Sequence, residues 1–169
     1  MEWSPVSVRG QGRLFTIGAL IATLMLLGSA CSKSSNTPSS PIYNVFAQKF
    51  RFHGMPGTIP SGNLQINFSN KESFPITHEM IVKAMPSGKT AQDIIDSAKV
   101  PGCEGGGPCE TQYLAFGEIA GVDTGATLSN VFDLSPGKYF FACWETGTVS
   151  GGTGPPHLSK GMFFQFTVT

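Results

Sequence analysis

The chain has 169 residues, of which 40% are hydrophobic and only 13% are charged, and its 11 Lys and Arg residues balance 11 Asp and Glu residues. It contains no basic run or stripe, so nucleic acid is excluded as an expected partner. The length and composition fit one modest domain behind an N-terminal export signal.

The first 31 residues have the three zones of a signal peptide. Arg9 and Arg13 precede an apolar run at residues 14–27, and small residues follow that run up to Cys31. A permanent membrane helix is the less favoured alternative, because the apolar run is shorter than the roughly 18 to 20 residues that span a bilayer. We therefore expect an exported protein, in the periplasm or at the cell surface.

Cys31 has two alternative fates. The sequence LLGSAC resembles a lipobox, in which the cysteine of a bacterial lipoprotein is acylated, so Cys31 is a candidate lipidation site that would anchor the protein to a membrane. Ordinary cleavage after Ala30 would instead leave Cys31 unmodified. Residues 32–41 are rich in Ser and Pro and predict a flexible tether. The folded domain is then expected at residues 42–169.

The sequence pattern predicts short β-strands over most of the domain, because apolar and polar residues alternate in stretches that are separated by segments rich in Gly and Pro. The predicted strands cover residues 43–53, 63–69, 77–84, 126–134, 138–144 and 162–168. A helix is predicted only at residues 90–99, where Thr90 can cap the N-terminus and Asp93 completes a weak capping box. The apolar face of this helix consists of Ile94, Ile95 and Ala98. Many short strands with one short inserted helix predict an all-β fold, a Greek-key β-sandwich.

The cysteines of the domain have different expected roles. Cys103 and Cys109 are separated by a Gly/Pro loop, which predicts a local disulfide in the oxidising space outside the cell. A pair of thiolates binding a soft metal is the alternative. Cys143 is left without a partner if Cys31 stays in the tether. Metal ligation would explain this unpaired thiol, and a buried core thiol is the alternative.

Four potential metal ligands occur in an order suited to copper. His78 precedes Cys143, His157 and Met162 along the chain. A thiolate, two imidazoles and a thioether form the type 1, or blue, copper centre, in which two His and one Cys make a trigonal plane and Met binds weakly along the axis. Taken singly, His157 also fits a solvated loop histidine, and Met162 fits a core methionine. Glu79 is expected on the opposite strand face from His78, in solvent.

Residues 50–169 resemble the cupredoxin superfamily in the motifs FRFHGMP, NFSN, THEMIVK and PGKYFFACW. The last of these motifs is followed by a histidine, by a Gly-Met pair and by a final Phe-x-Val pattern, as in that superfamily. The sequence HLSKGM looks like the plastocyanin ligand loop. The resemblance implies that His78 lies on an interior strand, that Cys143, His157 and Met162 come from the connection between the last two strands, and that the protein binds copper and passes electrons to a redox partner protein. Residues 144–156 make this connection longer than in most type 1 copper proteins.

Two other functions are also compatible with the sequence. His53 with Met55, and His78 with Met80, form His-x-Met pairs, whose imidazole and thioether suit a Cu(I) carrier or chaperone. A cupredoxin-like sandwich can also serve as a metal-free binding module. An enzyme is not expected, because the sequence contains no HExxH, GxSxG or phosphate-binding glycine motif.

Overall fold

The computed structural model describes residues 40–103, 107–147 and 153–169. The predicted signal peptide, the lipidation site Cys31 and nearly all of the tether lie outside the described residues and stay predictions. Within the described part of the chain, no helix is long and apolar enough to cross a membrane.

Two β-sheets face each other across an apolar core. The strands in chain order are β1 (Ile42–Ala47), β2 (Phe52–His53), β3 (Thr58–Ile59), β4 (Gly62–Asn70), β5 (Thr77–Ala84), β6 (Ala115–Asp123), β7 (Thr127–Leu134), β8 (Gly137–Ala142) and β9 (Phe163–Val168). One sheet has the order β2-β1-β4-β7, and the other has the order β3-β9-β8-β5-β6. The predicted all-β sandwich is thereby confirmed.

The alternation that predicted β4 also explains its packing. Leu64, Ile66 and Phe68 are fully buried, and the residues between them are half-buried. Successive side chains of a strand point to opposite faces, so every second residue of β4 enters the space between the sheets. The thiol of Cys143 and the side chain of Met162 belong to the same inter-sheet core.

A second apolar layer covers the outer face of the larger sheet. It is built by helix α1 (Ala91–Ser97) and by a 3-10 helix at His157–Lys160. The buried residues of this layer are Ile81, Ile94, Ala98, Phe140, Ala142, Trp144 and Leu158. β5 is therefore buried on both faces. The expectation that Glu79 lies in solvent is wrong for this reason, since its outward face is covered and only 9% of the residue is exposed.

The helices differ in number from the prediction. The predicted helix at residues 90–99 is present as α1, and Thr90 and Asp93 form the complete capping box. A second helix, α2 (Gly107–Thr111), and the 3-10 helix were not predicted, so the expectation of one inserted helix is wrong. The Cys103–Cys109 disulfide is formed, with its Cα atoms 5.5 Å apart, and its second cysteine lies in α2.

The predicted strand at residues 43–53 is broken by a tight turn. Lys49 and Phe50 both have positive φ angles, 52° and 54°. The backbones of Gln48 and Arg51 exchange two hydrogen bonds of 3.0 and 3.1 Å across the turn. Positive φ at both central residues suits a two-residue hairpin, although Lys and Phe are unusual there. The turn places the Phe50 ring beside His78 and His157.

Candidate metal centre

Three separate elements bring His78, Cys143 and His157 together. His78 lies on β5, and Cys143 follows the last residue of β8, which pairs with β5 in antiparallel register. His157 begins the 3-10 helix. Backbone hydrogen bonds hold this helix to the end of β8, from Leu158 N–H to the Cys143 carbonyl (2.8 Å) and from His157 N–H to the Glu145 carbonyl (2.9 Å).

The long connection between Cys143 and His157 is closed near its base. Thr146 and Pro156 form an isolated antiparallel bridge. The connection therefore leaves and returns at this bridge. This explains how His157 reaches Cys143 despite the length of the loop, since the free energy of closing a loop rises only slowly with its length.

The three side chains present their donor atoms to one point. The Nδ1 atoms of His78 and His157 are 3.1 Å apart, and the Sγ atom of Cys143 lies 3.7 Å from the first and 3.4 Å from the second. The point equidistant from the corners of this triangle is about 2.0 Å from each atom. This is the length of a metal–imidazole bond, and a small shift away from Sγ gives the metal–thiolate bond of about 2.3 Å. All three residues are fully buried. The donor set and its spacing thus fit a trigonally coordinated metal ion.

Hydrogen bonds at the far side of each ring orient the imidazoles. Nε2 of His157 lies 2.8 Å from the Gly147 carbonyl oxygen, and Nε2 of His78 lies 3.2 Å from Oε1 of Glu72. Because both partners are acceptors, they favour the ring form that carries its proton on Nε2 and presents the lone pair of Nδ1 towards Cys143.

Burial also sets the protonation of the metal-free site. It lowers the pKa of His78 and lowers that of His157 to about 4, so both rings are neutral at neutral pH. It raises the pKa of the Cys143 thiol well above its ordinary value. The backbone N–H of Glu79 donates to Cys143 Sγ at 3.4 Å. Binding of a metal ion would therefore displace the thiol proton and leave the imidazole protons in place.

The fourth predicted ligand, Met162, follows the 3-10 helix and is fully buried. Its backbone N–H donates to the His157 carbonyl at 3.2 Å, and its carbonyl accepts from the Cys143 N–H at 3.4 Å. The backbone of Met162 is thus bonded to both neighbours in the cluster. Its role as an axial ligand stays a prediction.

No protein-family model matches the sequence, and no curated protein matches it. Solved structures do resemble the chain. Auracyanin B superposes with a TM-score of 0.51 at 18% sequence identity, over 76% of this chain and 88% of its own. Dithionite-reduced auracyanin from the photosynthetic bacterium Roseiflexus castenholzii superposes with a TM-score of 0.51 at 17% identity, over 78% of this chain and 98% of its own. The chain has the cupredoxin fold.

Within this cupredoxin fold, the His and Met residues of the alternative Cu(I)-carrier site do not share one environment. His53 is exposed, its ring stacks on Phe46 at 5.0 Å, and its Nε2 lies 3.3 Å from the Gln48 carbonyl. Met55 and Met80 are buried in the core between the sheets. His53 does not belong to the cluster of His78, Cys143 and His157.

Three residues beside the cluster were not expected there. The Phe50 ring packs edge-on against both imidazoles, with centroid distances of 5.6 Å to His78 and 5.0 Å to His157. Glu79 accepts a 2.6 Å hydrogen bond from the backbone N–H of Trp144. Burial raises the pKa of the Glu79 carboxyl to about 8. The third residue is Glu72.

The sequence carries no signal for these contacts. Glu72 belongs to a polar loop, and Phe50 belongs to an apparent strand. The imidazoles that Phe50 contacts lie far from it along the chain. The contact of Glu72 with His78, six residues further on, depends on how the loop between them folds, so period and spacing could not have identified either residue.

Proposed function

We propose that this protein is an exported electron-transfer protein that binds copper through His78, Cys143 and His157, with Met162 as the weak axial ligand. The buried triangle of two Nδ1 atoms and one Sγ atom carries this proposal. Copper bound there would supply a one-electron couple between Cu(I) and Cu(II), for which imidazole and thiolate are suited ligands.

The chain contributes a rigid and dry site. The cysteine and both histidines are fully buried, and backbone hydrogen bonds tie the end of β8 to the 3-10 helix. Both rings are held at Nε2. Ligands that keep one arrangement lower the rearrangement that accompanies electron transfer, so this packing supports the redox function over simple metal storage.

A redox partner protein is proposed to dock where Phe50 approaches the surface. Lys160 is exposed, and its Nζ lies 4.2 Å from the centre of the Phe50 ring. Arg51 is exposed and donates from Nη1 to the Lys160 carbonyl at 2.7 Å, and Lys49 is exposed on the same turn. Phe74 packs against Phe50 and is 40% exposed. This aromatic surface with a basic rim favours a partner whose docking face is acidic.

Export and membrane anchoring form the remaining part of the proposal. The basic, apolar and small-residue zones of residues 1–31 support export, and the Cys103–Cys109 disulfide is the kind of bond that persists in an oxidising compartment. Acylation of Cys31 would anchor the domain through the tether. Replacement Cys31→Ser should then move the protein from the membrane fraction to the soluble fraction, and an unchanged distribution would contradict lipidation.

Titration with Cu(II) tests the function. The wild-type protein should bind one copper ion and develop an intense visible band from the thiolate–copper bond. Cys143→Ser should abolish the band, and the matched control His53→Asn should keep both the band and the stoichiometry. Copper uptake without the band, lost on replacement of His53 or Met80, would establish the carrier function instead. No copper uptake at all would favour the metal-free binding module.

A further inference from the structure

We propose that Glu72 is a positioning residue for this centre: its carboxylate holds His78 in the Nε2–H form and, through that bond, lowers the reduction potential. The effect on potential rests on the proposed copper function, whereas the effect on the imidazole proton does not.

Glu72 is fixed in the loop between β4 and β5. Its backbone N–H donates to Oδ1 of Asn70 at 3.1 Å, and the Asn70 amide donates in turn to the carbonyls of Ile76 and Val122 at 2.8 and 2.9 Å. Asn70 is 1% exposed, so this arrangement lies inside the protein. The loop therefore delivers the Glu72 side chain to one defined place.

The carboxylate contacts both the His78 imidazole and the backbone of the Phe50 turn. Oε1 of Glu72 lies 3.2 Å from Nε2 of His78 and accepts a 2.9 Å hydrogen bond from the Phe50 N–H. Only 2% of the Glu72 side chain is exposed, and the His78 side chain is fully buried. An acceptor at this position selects the His78 form that carries its proton on Nε2, which leaves Nδ1 free towards Cys143.

The two imidazoles differ in the charge of their acceptors. His157 donates to the neutral carbonyl of Gly147, whereas His78 donates to a carboxylate. A carboxylate behind an imidazole makes the ring a stronger donor and adds negative charge beside the metal position. Both effects favour Cu(II) over Cu(I), so Glu72 should lower the potential in a way that the Gly147 carbonyl cannot.

Glu72 also holds the Phe50 turn, so a purely structural role is the alternative. Replacement Glu72→Gln separates the two roles, because the amide oxygen can still accept hydrogen bonds while the charge is lost. Replacement Glu72→Ala removes both the charge and the acceptor. Asp133→Asn, at an exposed position on β7, controls for the loss of one negative charge from the protein.

The first measurement is the nitrogen NMR spectrum of the metal-free protein at neutral pH. In the wild type, both His78 and His157 should be protonated at Nε2 only. In Glu72→Ala, His78 should shift towards the Nδ1–H form while His157 stays unchanged. A wild-type His78 protonated at Nδ1, or a His78 spectrum that does not respond in folded Glu72→Ala, would overturn the proposal. If Glu72→Ala does not fold, the wild-type spectrum alone still decides the assignment of the proton.

The second measurement is the reduction potential of the copper-loaded variants. Glu72→Gln should keep the visible band and have a higher potential than both the wild type and Asp133→Asn. A potential equal to that of Asp133→Asn would overturn the electrostatic role. A wild-type protein that takes up no copper would refute the proposed function, and the NMR result would then decide the role of Glu72 by itself.

Discussion

Each imidazole of the cluster has a hydrogen-bond partner at Nε2, the ring nitrogen that faces away from Cys143. This partner is the Gly147 carbonyl for His157 and the Glu72 carboxylate for His78. The cysteine is held by the Glu79 N–H and by the backbone of the flanking segments. The donor atoms therefore face one point. A site held in this way would keep a bound ion in one arrangement, which is the property expected of a centre that exchanges electrons.

Replacement Met162→Leu tests the axial ligand. Leu has a similar volume, so we expect the free energy of unfolding to change by less than about 1.5 kcal/mol. The visible band should remain, and the reduction potential should rise, because loss of a weak thioether donor favours Cu(I). Spectroelectrochemistry of both proteins measures this. An unchanged potential would remove Met162 from the ligand set.

Replacement Glu79→Gln tests the buried carboxyl. Its pKa is about 8 in the folded protein, against an ordinary value of 4.5. Between these two pH values the folded state holds a proton that the unfolded chain has released, so this group makes stability fall as pH rises. Below the lower value both states are protonated, and the contribution is constant.

Urea unfolding of the metal-free protein at pH 5 and pH 8 measures the effect of Glu79. The stability gain of Glu79→Gln over the wild type should be larger at pH 8 than at pH 5, since Gln can keep the bond from Trp144 without ionising. Asp133→Asn should show no such difference. An equal gain at both pH values would contradict the shifted pKa.

The identities of the cluster residues were predictable because few residue types bind copper and their order along the chain is informative. His78, Cys143 and His157 do lie together. The roles of Glu72 and Phe50 were not predictable, because they depend on a loop contact and on a turn with two positive φ angles. The error at Glu79 arose because alternation along β5 says nothing about what covers its outer face.

Among the elements, α1 and the 3-10 helix together pack over the outer face of the larger sheet. Ile94 of α1 lies in the same buried layer as Leu158 and Trp144, the neighbours in sequence of His157 and Cys143. Strand β5 was predicted with its observed bounds, and the clearly alternating β4 was predicted to within one residue at each end. Strand β6 was missed because it contains glycines and buries only Ile119 and Val122, so its sequence has little alternation.

Replacement Ile94→Ala tests whether α1 packs on the larger sheet through this side chain. Ile94 is fully buried, so its loss should reduce the free energy of unfolding by about 2 to 5 kcal/mol, through lost burial and a remaining cavity. The matched control is Ile95→Ala, since Ile95 is only half-buried and should cost clearly less. Chemical denaturation of both variants provides the values. Equal losses would mean that α1 does not pack on the sheet through Ile94.

At the scale of the whole molecule, the positions of the charged residues matter more for the proposed function than the net charge, which is close to zero. The proposed docking surface has Lys49, Arg51 and Lys160 at its rim. Lys138 lies near the start of β8, whereas Cys143 follows the end of that strand. The two ends of the domain should therefore respond differently to charged reagents.

Oxidation of the reduced copper protein by ferricyanide, an anionic one-electron reagent, tests the basic rim. Lys160→Gln should lower the second-order rate constant severalfold and weaken its dependence on ionic strength, because a positive charge near the electron route is lost. Lys138→Gln should leave the rate constant near the wild-type value. Equal effects of the two replacements would place the electron route elsewhere.

X-ray absorption spectroscopy at the copper edge tests the central claim most directly, because it reports the atoms bound to the ion. For the loaded wild-type protein we expect one short bond to sulfur and two bonds to imidazole nitrogen, from Cys143, His78 and His157. The sulfur bond should disappear in Cys143→Ser. A wild-type spectrum that requires only nitrogen and oxygen neighbours would contradict the assignment of this buried triangle as a copper centre.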